Sequence, residues 1–246
     1  QKLEFFAQDR WHEFAVDSPT LDGGARGIFA GGFSPSNSDR IDFISINQLG
    51  NATDFGNLTV ARGAAGAAAS RTRGLMFGGT GPNTNTIDYW TISSTGDAQD
   101  FGDIANAGHW TQAVSNQVRA VTAGGNSIGN VINYVQIATT GNAKDFGDLT
   151  YKSDVAVSAN SSIQSPTRGI FAGGTPDTTN AIDFIVFSTE GNSQEFGDYT
   201  THTAREARGS NATRGLFIGG TRAEPSSSNI IDFITLATLG NATDFG

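Results

Sequence analysis

The chain has 246 residues, 32 of them Gly, 6 Pro and none Cys, with 37% apolar and 10% aromatic content; this is enough apolar material for a core, and it excludes collagen, disulfide scaffolds, thiolate metal sites and cysteine nucleophiles. Fifteen Lys and Arg against 24 Asp and Glu leave a net charge of −9, the wrong sign for broad binding to nucleic-acid phosphates or anionic membranes, and no run of about 18 apolar residues could cross a bilayer. With neither an apolar signal core nor an initiator Met, the sequence predicts a chain processed or cut from something longer.

Read from its beginning, the chain repeats. Leu3-Glu4-Phe5-Phe6 is a worn copy of a segment that returns at Phe55, Phe101, Phe146, Phe196 and Phe245, a mean period of 48 residues. The first full unit starts with Arg26-Gly27-Ile28-Phe29-Ala30-Gly31-Gly32, an apolar strand closed by two glycines. A polar loop from Phe33 to Arg40 follows, then the alternating, β-branched and aromatic strand Ile41-Asp42-Phe43-Ile44-Ser45-Ile46, then Gly50-Asn51-Ala52-Thr53-Asp54-Phe55-Gly56. Next comes the small-residue stretch Gly63 to Ser70, which intrinsic propensity alone would make a helix. Its counterparts Thr111 to Ser115 and Asp154 to Ser158 alternate like strands, so it is assigned to a crowded inner strand.

The same columns recur down the chain. Arg-Gly strands restart at Arg73, Arg168 and Arg214, with a divergent copy at Arg119; Ile-Asp strands restart at Ile87, Ile182 and Ile231, with Ile132-Asn133 in the third unit. Four short strands in roughly 40–50 residues make a propeller blade. The expectation is an all-β, five-bladed β-propeller in a single domain spanning 1–246, with repeats at 4–54, 55–100, 101–145, 146–195 and 196–246. Blades bury their faces against neighbours, so five should close into a ring, with an open solenoid as the alternative. The N-terminal Phe copy either staples the last blade or belongs to a longer array.

The Ala61-Arg62 pair, the Gly78-Gly79 strand end, the Ile87 to Tyr89 strand and the closing aromatic Phe101 together resemble the kelch repeat. The resemblance covers residues 4–246 and departs in using Phe where kelch uses Trp. The closer form, Thr-Arg-Gly-x-Phe-x-Gly-Gly with Thr-x-Gly-Asn-Ala-x-Asp-Phe-Gly, is similar to kelch-like arrays of marine bacteriophage and cyanophage virion structural and tail-fibre proteins. That resemblance implies a virion or extracellular module rather than a metabolic enzyme. The copper chemistry of some kelch-type oxidases needs a cysteine-linked tyrosine, which this chain cannot form.

Several sets of polar residues are of types that can carry chemistry. Asp42, Asp88, Asp183 and Asp232 recur once per unit, which favours structural acceptors over a ring of catalytic acids, and Asn133 in the third unit fits that reading. The Arg column (Arg26, Arg73, Arg119, Arg168, Arg214) is expected to pair with these acids inside each blade. Asp100 with Asp103, Asp145 with Asp148, and Glu195 with Asp198 are read as solvated turn carboxylates, not a calcium loop. His12, His109 and His202 change strand parity between units, against a shared zinc. Asn51, Asn57, Asn160, Asn211 and Asn241 lie in Asn-x-Ser/Thr sequons best explained by turns in which Asn tolerates the left-handed conformation. Trp11, Phe14 and Trp110 are extra aromatics, and Glu190, Glu206 and Glu224 are acids outside the repeat, assigned to solvated turns.

Sequence variation concentrates in the loops after each Gly-Gly, where binding specificity is usually placed. The candidate contact residues there are Phe33, Ser34, Asn37, Asn83, Asn85, Asn126, Asp177, Thr178, Arg222 and Glu224. The repeat positions Arg26, Arg73, Arg168, Arg214, Asp42, Asp88, Asp183, Asp232, Phe55, Phe101, Phe146, Phe196 and Phe245 are assigned to structure. The expected function is a non-catalytic structural or adhesion module of a phage virion, without cofactor or metal, its partners other virion proteins or a host-surface glycan. Nucleic acid and membrane insertion are excluded from that expectation, homo-oligomerisation is left open, and a free lectin or a glycan-degrading propeller are the alternatives.

Overall fold

Each repeat places apolar side chains on both sides of its second and third strands, and two-sided burial requires a neighbouring sheet on each face. The computed structural model describes residues 4–7, 10–13, 26–33, 35–151, 163–173, 180–201, 206–220 and 228–246. A hairpin of β1 (Glu4–Ala7) and β2 (Arg10–Glu13) comes first. Blade 1 follows with β3 (Arg26–Ala30), β4 (Arg40–Ser45) and β5 (Thr53–Asn57). Blade 2 holds β6 (Gly66–Ala69), β7 (Arg73–Phe77), β8 (Thr86–Thr91) and β9 (Gln99–Asp103). Blade 3 holds β10 (Gln112–Ser115), β11 (Arg119–Ala123), β12 (Val131–Gln136) and β13 (Lys144–Asp148). Blade 4 holds β14 (Ile163–Gln164), β15 (Arg168–Ala172), β16 (Ala181–Val186) and β17 (Gln194–Asp198). Blade 5 holds β18 (Ala207–Ser210), β19 (Arg214–Ile218), β20 (Ile231–Thr235) and β21 (Thr243–Asp244).

The chain is thus an all-β, five-bladed β-propeller of small antiparallel meanders, each sheet in sequence order from inner to outer strand. Blade 1 has three described strands and the others four. The alanine stretch forms strand β6, against its helical propensity, because Ala67, Ala68 and Ala69 pair with Met76, Leu75 and Gly74 of β7 and lie beside β10 of the next blade. In blade 4 the inner strand is Ile163–Gln164; residues 154–158 lie outside the described residues.

The Asp-Phe-Gly segment is the fourth strand of its blade, as the repeat pattern predicts, although its acids were expected in a turn. In blade 2, Ile87 pairs with Gly102 and Asp88 with Asp100, so Phe101 is the extra residue of a bulge, and the same register shift recurs in blades 1, 3 and 4. A bulge re-aims a side chain, and here it sends each Phe into the gap before the next blade. Gly102, at φ +141°, follows that bulge, and a Cβ on it would stand 2.5 Å from the backbone of Gly141 in blade 3. Only glycine lets the outer strands approach this closely.

Four inter-blade cores are built from described residues. Phe55 and Leu58 meet Met76 and Trp90 between blades 1 and 2, and Phe101 meets Val135 and Ile137 between blades 2 and 3. Phe146 and Leu149 meet Ile185 and Phe187 between blades 3 and 4, and Phe196 meets Ile234 and Leu236 between blades 4 and 5. The N-terminal Glu4–Ala7 strand pairs with Arg10–Glu13, not with the last blade, among the described residues.

Candidate functional site

The strand polarity fixes two ends of the propeller. The second strand of every blade runs toward its Gly-Gly pair, so the variable loops share one end with the connections between blades. Gly78 and Gly79, at φ +60° and +123°, turn the chain there, and a Cβ on Gly78 would lie 2.5 Å from the Gly108 carbonyl of the following connection. Gly79 N–H donates to that carbonyl at 2.8 Å, and Gly32 N–H donates to the Arg62 carbonyl at 3.0 Å in the equivalent place. The loop bases are therefore anchored to main chain, which leaves their tips to vary.

Of the loop candidates, Phe33 is 74% exposed and bridges to Asn37 across a tight loop. The Asn37 Oδ1 is buried without a partner among the described residues and lies against Gly63, while its Nδ2 faces Gly81 of the next blade's loop. Asn83 is exposed, whereas the Asn85 carbonyl accepts from Ile104 N–H at 2.8 Å. Asn126 N–H donates to the His109 carbonyl at 2.8 Å. The loops of blades 1 to 3 thus lie at one end, while Ser34, Asp177, Thr178, Arg222 and Glu224 lie outside the described residues. His202 does too, and the side chains of His12, Trp11 and Phe14 are not described.

His109 stacks edge-on against Trp110 at 4.5 Å, and burial pushes its imidazole pKa below the ordinary value. Its Nδ1 is buried without a partner among the described residues. Among the described residues no group of three or more His, Asp or Glu side chains is placed to hold a metal ion.

The repeated acids take structural hydrogen bonds, from a threonine in the connection that enters their blade. Asp88 accepts from the N–H and Oγ1 of Thr59 at 3.0 and 2.6 Å. Asp183 accepts from Thr150 N–H at 2.8 Å and from the Ser193 hydroxyl at 2.6 Å, and Asp232 accepts from the Thr200 hydroxyl at 2.7 Å. Asp42 instead pairs with exposed Arg40 at 2.7 Å. In blade 2 the acid also meets Arg62 at 3.1 Å with both side chains fully buried. Arg62 further donates to the Thr86 carbonyl at 3.0 Å.

The expected pairing of the Arg column with these acids does not occur. Each of these arginines lies over the aromatic ring of its own third strand: Arg26 over Phe43, Arg73 over Tyr89, Arg119 over Tyr134, Arg168 over Phe184 and Arg214 over Phe233, at 4.7 to 5.0 Å. Each ring in turn meets the bulged Phe edge-on, as Tyr89 does Phe101 at 5.7 Å. Four of the five then donate Nη1 to a main-chain carbonyl of the next blade: Arg26 to Ile92, Arg73 to Ile137, Arg119 to Phe187 and Arg168 to Leu236, at 2.7 to 2.9 Å. A cation over a ring with a carbonyl at its fork needs no carboxylate, though Arg119 also meets Glu190 at 3.4 Å.

Asn in the sequons also differs from expectation. Asn51 and Asn241 do not adopt positive φ; before Asn241 and the equivalent Asn142 the left-handed region is taken by Gly240 and Gly141. The Asn side chain clamps the blade before it, Asn142, Asn192 and Asn241 accepting from Asp103, Asp148 and Asp198 N–H at 3.1 Å. Asn211 does serve a turn, accepting from Thr213 and Arg214 N–H.

A buried polar cluster near the axis has no counterpart in the repeat. Glu206, expected in a solvated turn, is 3% exposed and pairs with Arg208 at 2.6 Å. Tyr199 donates its hydroxyl to Glu206 at 2.6 Å, and Arg208 reaches Gln112 of blade 3 at 2.6 Å and the Ala172 carbonyl of blade 4. Burial and the Glu206 charge push the Tyr199 hydroxyl well above the usual phenol range, so it stays a donor. Burial works to lower the Arg208 pKa, but Glu206 outweighs it and the guanidinium stays charged. Arg208 replaces Ala67 and Ala113 of the equivalent strands, which is the signal the sequence carried. Glu190 is half exposed and accepts from Tyr134 at 2.6 Å.

At the end opposite the Gly-Gly loops, the inner-strand turns of blades 3, 4 and 5 enclose a recess of about 460 Å³ lined by Asn116, Gln117, Gln164, Ser165, Ser210 and Asn211. Amide and hydroxyl groups of this kind suit hydrogen bonding to hydroxylated ligands. No protein-family model matches the chain, and no curated protein matches it in sequence.

Proposed function

We propose that this chain is a non-catalytic propeller scaffold, a structural or adhesion module of a phage virion that offers its variable Gly-Gly loops to a partner protein or a host-surface glycan. The observation that carries this reading is the engagement of the repeated charges. Four of the five column arginines hold carbonyls of neighbouring blades and three of the acids hold incoming threonines, so these charges are committed to cohesion. Residues free to differ between blades lie at the loop tips, where Phe33 and Asn83 stand exposed. The virion setting rests on the resemblance of the repeat to phage arrays.

The test is a binding screen of the purified chain against host-envelope preparations and immobilised glycans. Saturable binding that Phe33→Ala with Asn83→Ala weakens is the expected result; binding unchanged by loop substitutions, or turnover of a glycan, overturns it. A lectin reading is favoured by one observation, the amide-lined recess at the opposite end. Loss of sugar binding in Asn116→Ala with Asn211→Ala, and not in the loop variant, would assign the activity there.

A further inference from the structure

We propose that a second copy of this chain docks its blade 1 onto blade 5 of the first, head to tail. The argument starts from the joint that the chain builds four times within itself. In each, an Arg donates to a carbonyl of the next blade, as Arg168 does to Leu236 at 2.8 Å. The N–H of a turn glycine donates back to the carbonyl of the bulged Phe: Gly96 to Phe55, Gly141 to Phe101, Gly191 to Phe146 and Gly240 to Phe196, at 2.7 to 2.8 Å. The Phe itself is sealed, with 2 to 4% exposure at Phe55, Phe101, Phe146 and Phe196.

Blade 5 carries the giving half of a fifth joint, which no described residue covers. Phe245 is 58% exposed where its four counterparts are sealed. Arg214 sits over Phe233 and reaches no neighbouring carbonyl among the described residues. Blade 1 carries the receiving half, equally bare. Ile46 is 66% exposed, whereas Ile137, Phe187 and Leu236 in its position are at 1 to 2%. Gly50, Asn51 and Ala52 are exposed, and Phe29 is 60% exposed where Met76, Phe171 and Phe217 are buried.

The halves match in sequence as well as position. Blade 1 presents Leu49 to Gly56, and these eight residues are identical to Leu239 to Gly246, the segment with which blade 5 docks on blade 4. The bonds that would join the two halves within one chain, Gly50 N–H to Phe245 and Arg214 to the Ile46 carbonyl, are absent although all four residues are described. A face that is continuous with an interface repeated four times therefore waits for an identical partner, and a heterologous contact of this type builds rings or filaments.

The test is sedimentation and light scattering of the full chain over a wide concentration range, with cysteine pairing in a background free of native thiols. Expected are a mass that rises with concentration and an apparent dissociation constant about tenfold or more weaker in either Phe245→Asp or Ile46→Asp, both at exposed positions of the single chain. Mixed Ala52→Cys and Phe245→Cys chains of different mass should yield the mixed disulfide dimer. A monomer at every concentration overturns the proposal. So does a chain carrying both cysteines that closes on itself at high dilution while the mixed single variants give no dimer, since the partner of blade 5 is then its own blade 1.

Discussion

Blades 2 and 3 share one strand register, yet one buries an ion pair and the other an amide. In blade 2, Asp88 holds Thr59 and faces Arg62, and both charges are out of contact with water. In blade 3 the acid is Asn133, the threonine position is Ala105 and the arginine position is Gly108. Charge, hydroxyl donor and counter-charge are missing together, and Asn133 is left with its Oδ1 buried and unpartnered among the described residues. The difference teaches that the acid belongs to a set. A buried carboxylate is tolerable with its donors and counter-charge, and removing one member strands the rest.

The strongest way to break this comparison is Arg62→Ala, which leaves Asp88 buried beside Thr59 alone. It should cost about 3–5 kcal/mol of unfolding free energy, read from urea transitions at neutral pH. Adding Asp88→Asn to that variant, which imitates blade 3, should return roughly 1–2 kcal/mol, a non-additivity of the kind contacting residues show. An additive double variant would mean the two charges do not share one site. Thr150→Ala removes the hydroxyl donor of Asp183 while Ser193 stays, so a smaller loss of about 1–3 kcal/mol is expected. The smallest effect sharpens the contrast at His109, which stands where blade 2 has Gly63. Burial lowers its pKa, so the folded state favours neutral imidazole while the unfolded chain takes up a proton near the ordinary value of 6.5. Its contribution is therefore present above that pH and lost as pH falls through the lowered folded value. The thermal midpoint should decline on acidification through this window, and His109→Gln should flatten the decline.

The period, the strands and their order within a blade were legible because each repeat must satisfy the same two-sided burial, and Phe spacing exposes it. The alanine stretch was legible only by comparison with Gln112 to Ser115, since Ala alone favours helix. What a sequence does not display is which oxygen an arginine finds. Arg73 and Asp88 recur together, but carbonyls such as that of Ile137 carry no residue signature, so a pairing between side chains was inferred where main chain accepts. The bulge at Phe101 was invisible for a related reason: it is a property of register, and only Gly102 hints at it. Glu206 was missed because burial of an acid depends on partners far away in sequence, Gln112 among them. That the Gly-Gly loops share one end follows from strand polarity once the strand order is known.

The arginine that joins each blade to the next grips a group that every amino acid possesses. Ile92, Ile137, Phe187 and Leu236 differ in shape, and the bond is the same to all four. A tandem duplication in the coding sequence therefore delivers a unit that already fits its neighbours, and a deletion closes up without orphaning a specific side-chain partner. Such a chain can lengthen, shorten or exchange segments by recombination while its outward-facing segments drift freely.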